Sequence, residues 1–158
     1  MRNVYCNLMF ILVLSLSVNI VVAQTREEVV ALVKQTKADM EENTALTLKK
    51  VNSGEHPYKD SNNPSLYVFI HDIDINVAAH AIKPHIVGKN LKGKPDIKGK
   101  MFRDEIKKKA LANGKGWVDY YYLNPKNKKE SHKESYFELV RGSDGKQYIV
   151  GSGKYFDQ

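Results

Sequence analysis

Cysteine is all but absent: Cys6 is the only one in 158 residues. A chain with one thiol forms no internal disulfide, attaches no haem through paired cysteines and builds no thiolate zinc site. Cys6 also precedes the first apolar run instead of ending it, which argues against a lipoprotein. Long apolar runs are limited to residues 8–22, and nothing after residue 23 is long and apolar enough to span a bilayer. Catalytic signatures are missing too: there is no Gly-x-Ser-x-Gly elbow, no phosphate loop and no His-Glu-x-x-His. The expectation is a protein that catalyses nothing and carries no cofactor. An enzyme would need a nucleophile and a base brought together only by folding.

The start of the chain sets the expected compartment. Arg2, the apolar run and the small residues Val21-Val22-Ala23 follow the order of a secretory signal. The run contains Ser15, Ser17 and Asn19 and is short against the roughly twenty residues of a membrane span. Cleavage after Ala23 is therefore expected, with an uncleaved anchor as the alternative. The product, residues 24–158, would be periplasmic or secreted and would contain no cysteine. Its length suits one domain, which can bury roughly two thirds of its surface and needs no covalent staples. The formal net charge of +7 suggests nucleic acid at first sight. Export argues against that, and the lysines fall in scattered clusters at 49–50, 107–109 and 126–129 that read as solvated surface. No nucleic-acid partner is expected.

Residues 25–52 read as one long helix. Thr25 and Glu28 make a capping-box pair, Val29, Val33, Met40, Leu48 and Val51 form an apolar stripe, and Gly54 and Pro57 end it. Residues 66–70 are β-branched and aromatic and read as a strand. A turn at 72–76, with Asn76 as its left-handed residue, leads to a second strand at 77–80. Residues 83–100 contain Pro84, Gly88, Gly93, Pro95 and Gly99 and read as loop with a short helical turn. A helix at 101–111 stops at Asn113-Gly114. Strands at 117–122, 136–140 and from 147 onward, with turns at 125–131 and 143–145, complete a meander. Strands behind a leading helix give an α+β domain with an antiparallel sheet.

Six pieces then fall in register: Ala79-His80, Gly88-Lys89-Asn90, Asp96-Ile97-Lys98-Gly99-Lys100, Gly116-Trp117-Val118-Asp119-Tyr120, Lys133-Glu134-Ser135-Tyr136 and Gly151-Ser152-Gly153-Lys154-Tyr155. Their order and spacing resemble the single Cache domains of type two across residues 25–157. The resemblance implies a long N-terminal helix on a five-stranded antiparallel, PAS-like sheet. It also implies a pocket on the opposite face, roofed by the insertion between the second and third strands. Such domains are usually the extracytoplasmic sensors of chemoreceptors and histidine kinases, and they often bind short carboxylates. This chain departs from the pattern at Ala81, where proline is common, and at Tyr122, where tryptophan is common. No membrane helix or signalling domain follows Gln158, so a free-standing module is expected.

The candidate ligand-binding residues are His80, Trp117, Tyr120, Tyr122, Lys133 and Tyr136. Lys133 matches the Lys-x-x-Tyr of the resemblance and offers a compact charge with three donors, suited to a small carboxylate. A regular strand puts Lys133 and Tyr136 on opposite faces, so both reach one pocket only through a bulge. Tyr120 and Tyr122 share a face with Val118; Trp117 lies on the other, either lining the pocket or anchoring the insertion. His80 ends its strand near the roof, as an anion's donor or a loop cap. His71, Asp72, Asp74 and His85 match no metal-ligand spacing, so no metal is expected. The expected partners are a small organic anion and a membrane sensor or other envelope protein. The alternative is an interaction module whose vestigial pocket is filled by its own tyrosines. The apolar stripe of the first helix is needed to cover the sheet, so a monomer is expected.

Overall fold

The computed structural model describes residues 24–156; the signal-sequence reading of residues 1–23 lies outside them. The first helix, α1 (Arg26–Ser53), starts where the side chains predict. Thr25 accepts from the Glu28 amide and Glu28 from the Thr25 amide, closing the capping box. At the other end Gly54 turns left-handed and its amide reaches back to Lys50 and Val51. Such caps contribute about 1 kcal/mol.

The helix is not continuous, as the sequence suggests, but kinked at Asn43 (φ −151°, ψ 89°). Ser143, in the last hairpin turn, is wedged into the ladder: its amide donates to the Met40 carbonyl at 3.1 Å, and its Oγ accepts from the Thr44 amide at 2.9 Å. These two groups would otherwise bond each other as residues i and i+4. Asn43 then caps the second half, accepting from the Leu46 amide. A polar wedge in the ladder is a recognised cause of a kink.

Five strands follow: β1 (Phe69–Asp72), β2 (Val77–His80), β3 (Lys115–Leu123), β4 (Glu130–Arg141) and β5 (Gln147–Tyr155). They form one antiparallel sheet in the order β2-β1-β5-β4-β3. Helix α1 covers one face through Val29, Leu32, Val33, Met40 and Val51. The second helix, α2 (Phe102–Asn113), lies on the other, burying Phe102, Ile106 and Ala110 against Val118, Tyr120, Phe137 and Ile149. The expected α+β arrangement is the one observed.

The insertion before α2 is tied to the sheet by its polar motifs. Lys89 and Gly88 exchange backbone bonds with Val77, and Asn90 donates to the Asp74 carbonyl and the Asn76 side chain. Asp96 accepts from the amides of Lys98 and Lys100 within its own turn and, at 2.8 Å, from the amide of Tyr121 on β3. The turn thus satisfies an edge-strand donor. The left-handed residue of the β1–β2 turn is Ile75 (φ 66°), not Asn76. Asn76 is held instead by Asp72, which accepts from both its amide and its side chain.

Candidate functional site

Between the sheet and the α2 insertion lies a cavity with about 20 Å³ of free space, room for a single water. Lys133, Tyr120 and Tyr122 reach it by strand alternation from β4 and β3, and His80 by ending β2. Tyr67, Phe69 and His71 come from β1 and its approach, and Phe102 and Arg103 from the first turn of α2. The Phe102 ring stacks on Tyr120 with centroids 3.9 Å apart and planes within 7°. That contact seats the roof.

Lys133 is the centre of the arrangement. It is fully buried, and its Nζ makes one hydrogen bond, 2.7 Å to the hydroxyl of Tyr67. Tyr67 in turn contacts the Tyr155 hydroxyl at 3.1 Å, and Tyr155 donates to the Leu123 carbonyl at 2.9 Å. Since Tyr155 spends its proton on Leu123, the chain runs one way when Lys133 is charged: Lys133 to Tyr67 to Tyr155 to the carbonyl. The other two ammonium donors have no hydrogen-bond partner among the described residues. The rings of Tyr67, Tyr155, Tyr122 and Phe69 surround the nitrogen at 4.0 to 5.9 Å. No carboxylate lines the cavity among the described residues. Burial, and then the charge of Lys83, push the Lys133 pKa well below the usual lysine range.

The two histidines are neutral for the same reason. Burial drives His80 well below its ordinary value and takes His71 to about 3, with nearby cations adding to both. His80 stacks on Tyr67, and its Nδ1 accepts from the Ile82 amide at 3.4 Å, which leaves Nε2 as the protonated nitrogen. A histidine whose folded pKa is depressed contributes stability that is present above about 6.5 and is lost as pH falls toward the folded value. We therefore expect His71→Phe to flatten the loss of stability between pH 6.5 and pH 4. An unchanged slope in denaturant titrations across that range would show that His71 is not the group responsible.

Four of the six predicted residues, His80, Tyr120, Tyr122 and Lys133, meet in this cavity. Trp117 and Tyr136 do not. β4 pairs with β3 and β5 without a bulge, so alternation sends both to the α1 face. There Trp117 lies 5.3 Å from the Tyr136 ring and under the guanidinium of Arg26, and Tyr136 donates to Glu138. Sequence reasoning missed Tyr67, Phe69, Phe102 and Arg103. It weighed His71 only for a metal, yet His71 is a cavity wall while Asp72 holds its own turn. Among the described residues no three metal-ligating side chains cluster.

A helix-backed antiparallel sheet whose other face carries a small, cationic aromatic cavity under an inserted helix defines a sensor-type domain of the PAS-like class. The chain belongs to the single Cache domain 2 family, which matches residues 14–158. A solved periplasmic sensor domain of a chemotaxis protein is 25% identical, covers 83% of this chain and 90% of its own, and superposes with a TM-score of 0.61. A methyl-accepting chemotaxis protein from Vibrio parahaemolyticus RIMD 2210633 is 18% identical over 84% and 88%, with a TM-score of 0.67. A Cache chemosensory domain, solved to explain carboxylic acid recognition, is 23% identical over 83% and 92%, with a TM-score of 0.66. The last two share the fold. Domains of this family are sensors and not enzymes. No helix among the described residues is long and apolar enough to cross a membrane.

Proposed function

We propose that the domain senses a short monocarboxylate outside the cytoplasm, holding it on Lys133 with Tyr67, Tyr120 and the Nε2 proton of His80 as further contacts. The observation that carries this reading is a fully buried lysine with no acidic partner among the described residues. Such a group costs stability unless something compensates it, and a carboxylate supplies the missing charge. Arg103 on the roof adds to a wholly positive wall. The small free volume limits the ligand to a few heavy atoms and requires a wall to move. Tyr122, a half-buried side chain of the wall, is the one we take to move. Output would pass through a membrane receptor or another envelope protein, in the periplasm.

The same small volume favours a second reading, a vestigial pocket closed by its own tyrosines on a domain that binds another protein. Thermal unfolding against formate, acetate, propionate, pyruvate and lactate, with amines and amino acids as controls, separates the two. A ligand at one hundred times its Kd adds roughly 2.7 kcal/mol. That moves the midpoint on the order of ten degrees for a domain of this size. A shift with short carboxylates supports sensing; a flat response across the panel supports the interaction module.

A further inference from the structure

A second, larger concavity opens beside the turn at residues 80–83. It has a volume of about 560 Å³ and is lined by Lys59, Lys83, His85, Leu123, Pro125 and Lys128 among others. No acidic residue lines it, and none of its three lysines takes part in an ion pair among the described residues. An unneutralised basic concavity with apolar walls concentrates small anions.

Two features join this groove to the buried cavity. The Lys83 ammonium sits 4.1 Å from the centroid of the Tyr122 ring, and the Lys133 ammonium lies 5.7 Å from the same centroid. One aromatic side chain therefore contacts both the half-buried cation and the fully buried one. The backbone repeats the pattern, because residues 80–83 form a tight turn in which the Lys83 amide donates to the His80 carbonyl. His80 lines the cavity at one end of that turn, and Lys83 lines the groove at the other. The hydrogen-bond chain from Lys133 likewise ends on Leu123, a groove residue.

Building on the sensing reading above, we propose that the groove is a separate outer anion site, centred on Lys83, which captures the carboxylate before it passes Tyr122 to Lys133. Lys83 leaves the ring to bind the anion and so frees Tyr122 to swing. Its charge also opposes that of Lys133. Lys83 thus acts on arrival and not on release, and tightens the inner complex by the gain in association alone.

The test is an amide-resolved NMR titration with sodium acetate replacing sodium chloride at constant ionic strength, on the wild type, Lys133→Met and Lys83→Gln. In Lys133→Met, acetate should still move the amides of Ile82, Lys83 and Leu123, and in Lys83→Gln those shifts should vanish. Lys83→Gln should also slow acetate association with the inner cavity about tenfold at low salt, with dissociation unchanged and the difference fading as salt rises. Wild-type shifts confined to the inner cavity, or groove shifts that survive Lys83→Gln, overturn the outer site while leaving the sensing reading intact. Groove shifts without cavity shifts overturn the sensing reading and keep the outer site. Should Lys133→Met fail to fold, Lys83→Gln carries the test alone, because Lys83 is half-buried at the surface and packs in no core.

Discussion

Lys133→Met is expected to raise the melting temperature of the ligand-free protein by roughly 5 °C and to abolish its response to short carboxylates. Desolvating an ammonium costs several kcal/mol after relaxation. Against that stand one hydrogen bond to a neutral hydroxyl and the attraction of the surrounding rings, each worth about 0.5 to 2 kcal/mol. The depressed pKa says that desolvation wins. Methionine has a similar length and no charge, so it keeps the packing and removes the penalty. The net gain is on the order of 2 kcal/mol, which for a domain of this size is a shift of several degrees. Stability is being given up at a functional position, as expected where a charge must be ready for a ligand.

The pH dependence supplies an independent check. A lysine whose folded pKa is depressed binds fewer protons folded than unfolded between that value and about 10.4. Stability of the wild type should therefore rise with pH through that window, up to the point where tyrosines begin to ionise. Lys133→Met should lack the rise. If it melts lower than the wild type and keeps the same pH slope, the buried lysine is not an uncompensated charge and the case for an anionic ligand falls with it.

What the sequence disclosed about this site follows the range of the interactions involved. Strand alternation is local, so the shared face of Tyr120 and Tyr122 is legible in the sequence, whereas Lys133 is singled out by the family resemblance; all three line the cavity. The regularity of β4 that sends Tyr136 and Trp117 to the helix face was visible as an objection to including both. The kink in α1 was invisible because its cause, Ser143, lies a hundred residues away, with |i−j| of 99 to Thr44. β4 was read to start at residue 136, yet it begins at Glu130. Its first half, Glu-Ser-His-Lys-Glu-Ser, has weak strand propensity and is extended only because β3 and, from Lys133, β5 pair with it. Arg103 and Phe102 were legible as helix residues. That their turn of helix closes a cavity depends on how α2 docks, which the Asp96 and Asn90 contacts fix.

The closing Gly-Ser-Gly carries the second large effect. Gly151 and Gly153 alternate with Ser152, so both present bare backbone to the cavity face. A Cβ on Gly151 would lie 2.3 Å from the Phe69 ring. One on Gly153 would lie 2.3 Å from Ser135 Oγ, 2.5 Å from the Glu134 carbonyl and 2.6 Å from Lys133 Cε. Neither glycine is there for a left-handed turn; each is the floor on which a cavity side chain rests. At Gly153 one of the clashing atoms is backbone, so no rotamer change relieves it. Ser135 is also held by Tyr120 at 2.8 Å, and Gln24 donates to the Gly153 carbonyl from the other side. Gly153→Ala is expected to cost on the order of 3 kcal/mol, at the upper end for overpacking a close-packed interior. It should lower the melting temperature by roughly ten degrees. Gly145, in the exposed hairpin turn, has φ 80° and nothing near its would-be Cβ, so alanine there should cost only about 1 kcal/mol of backbone strain. The order of the two is the test, read from paired denaturant titrations. If Gly153→Ala is no worse than Gly145→Ala, β5 has room to yield and the cavity floor is softer than its contacts imply. If the order holds, displacement of the Lys133 stem should also weaken acetate binding in whatever fraction of Gly153→Ala remains folded, which ties the glycine of β5 to the ligand end of the lysine.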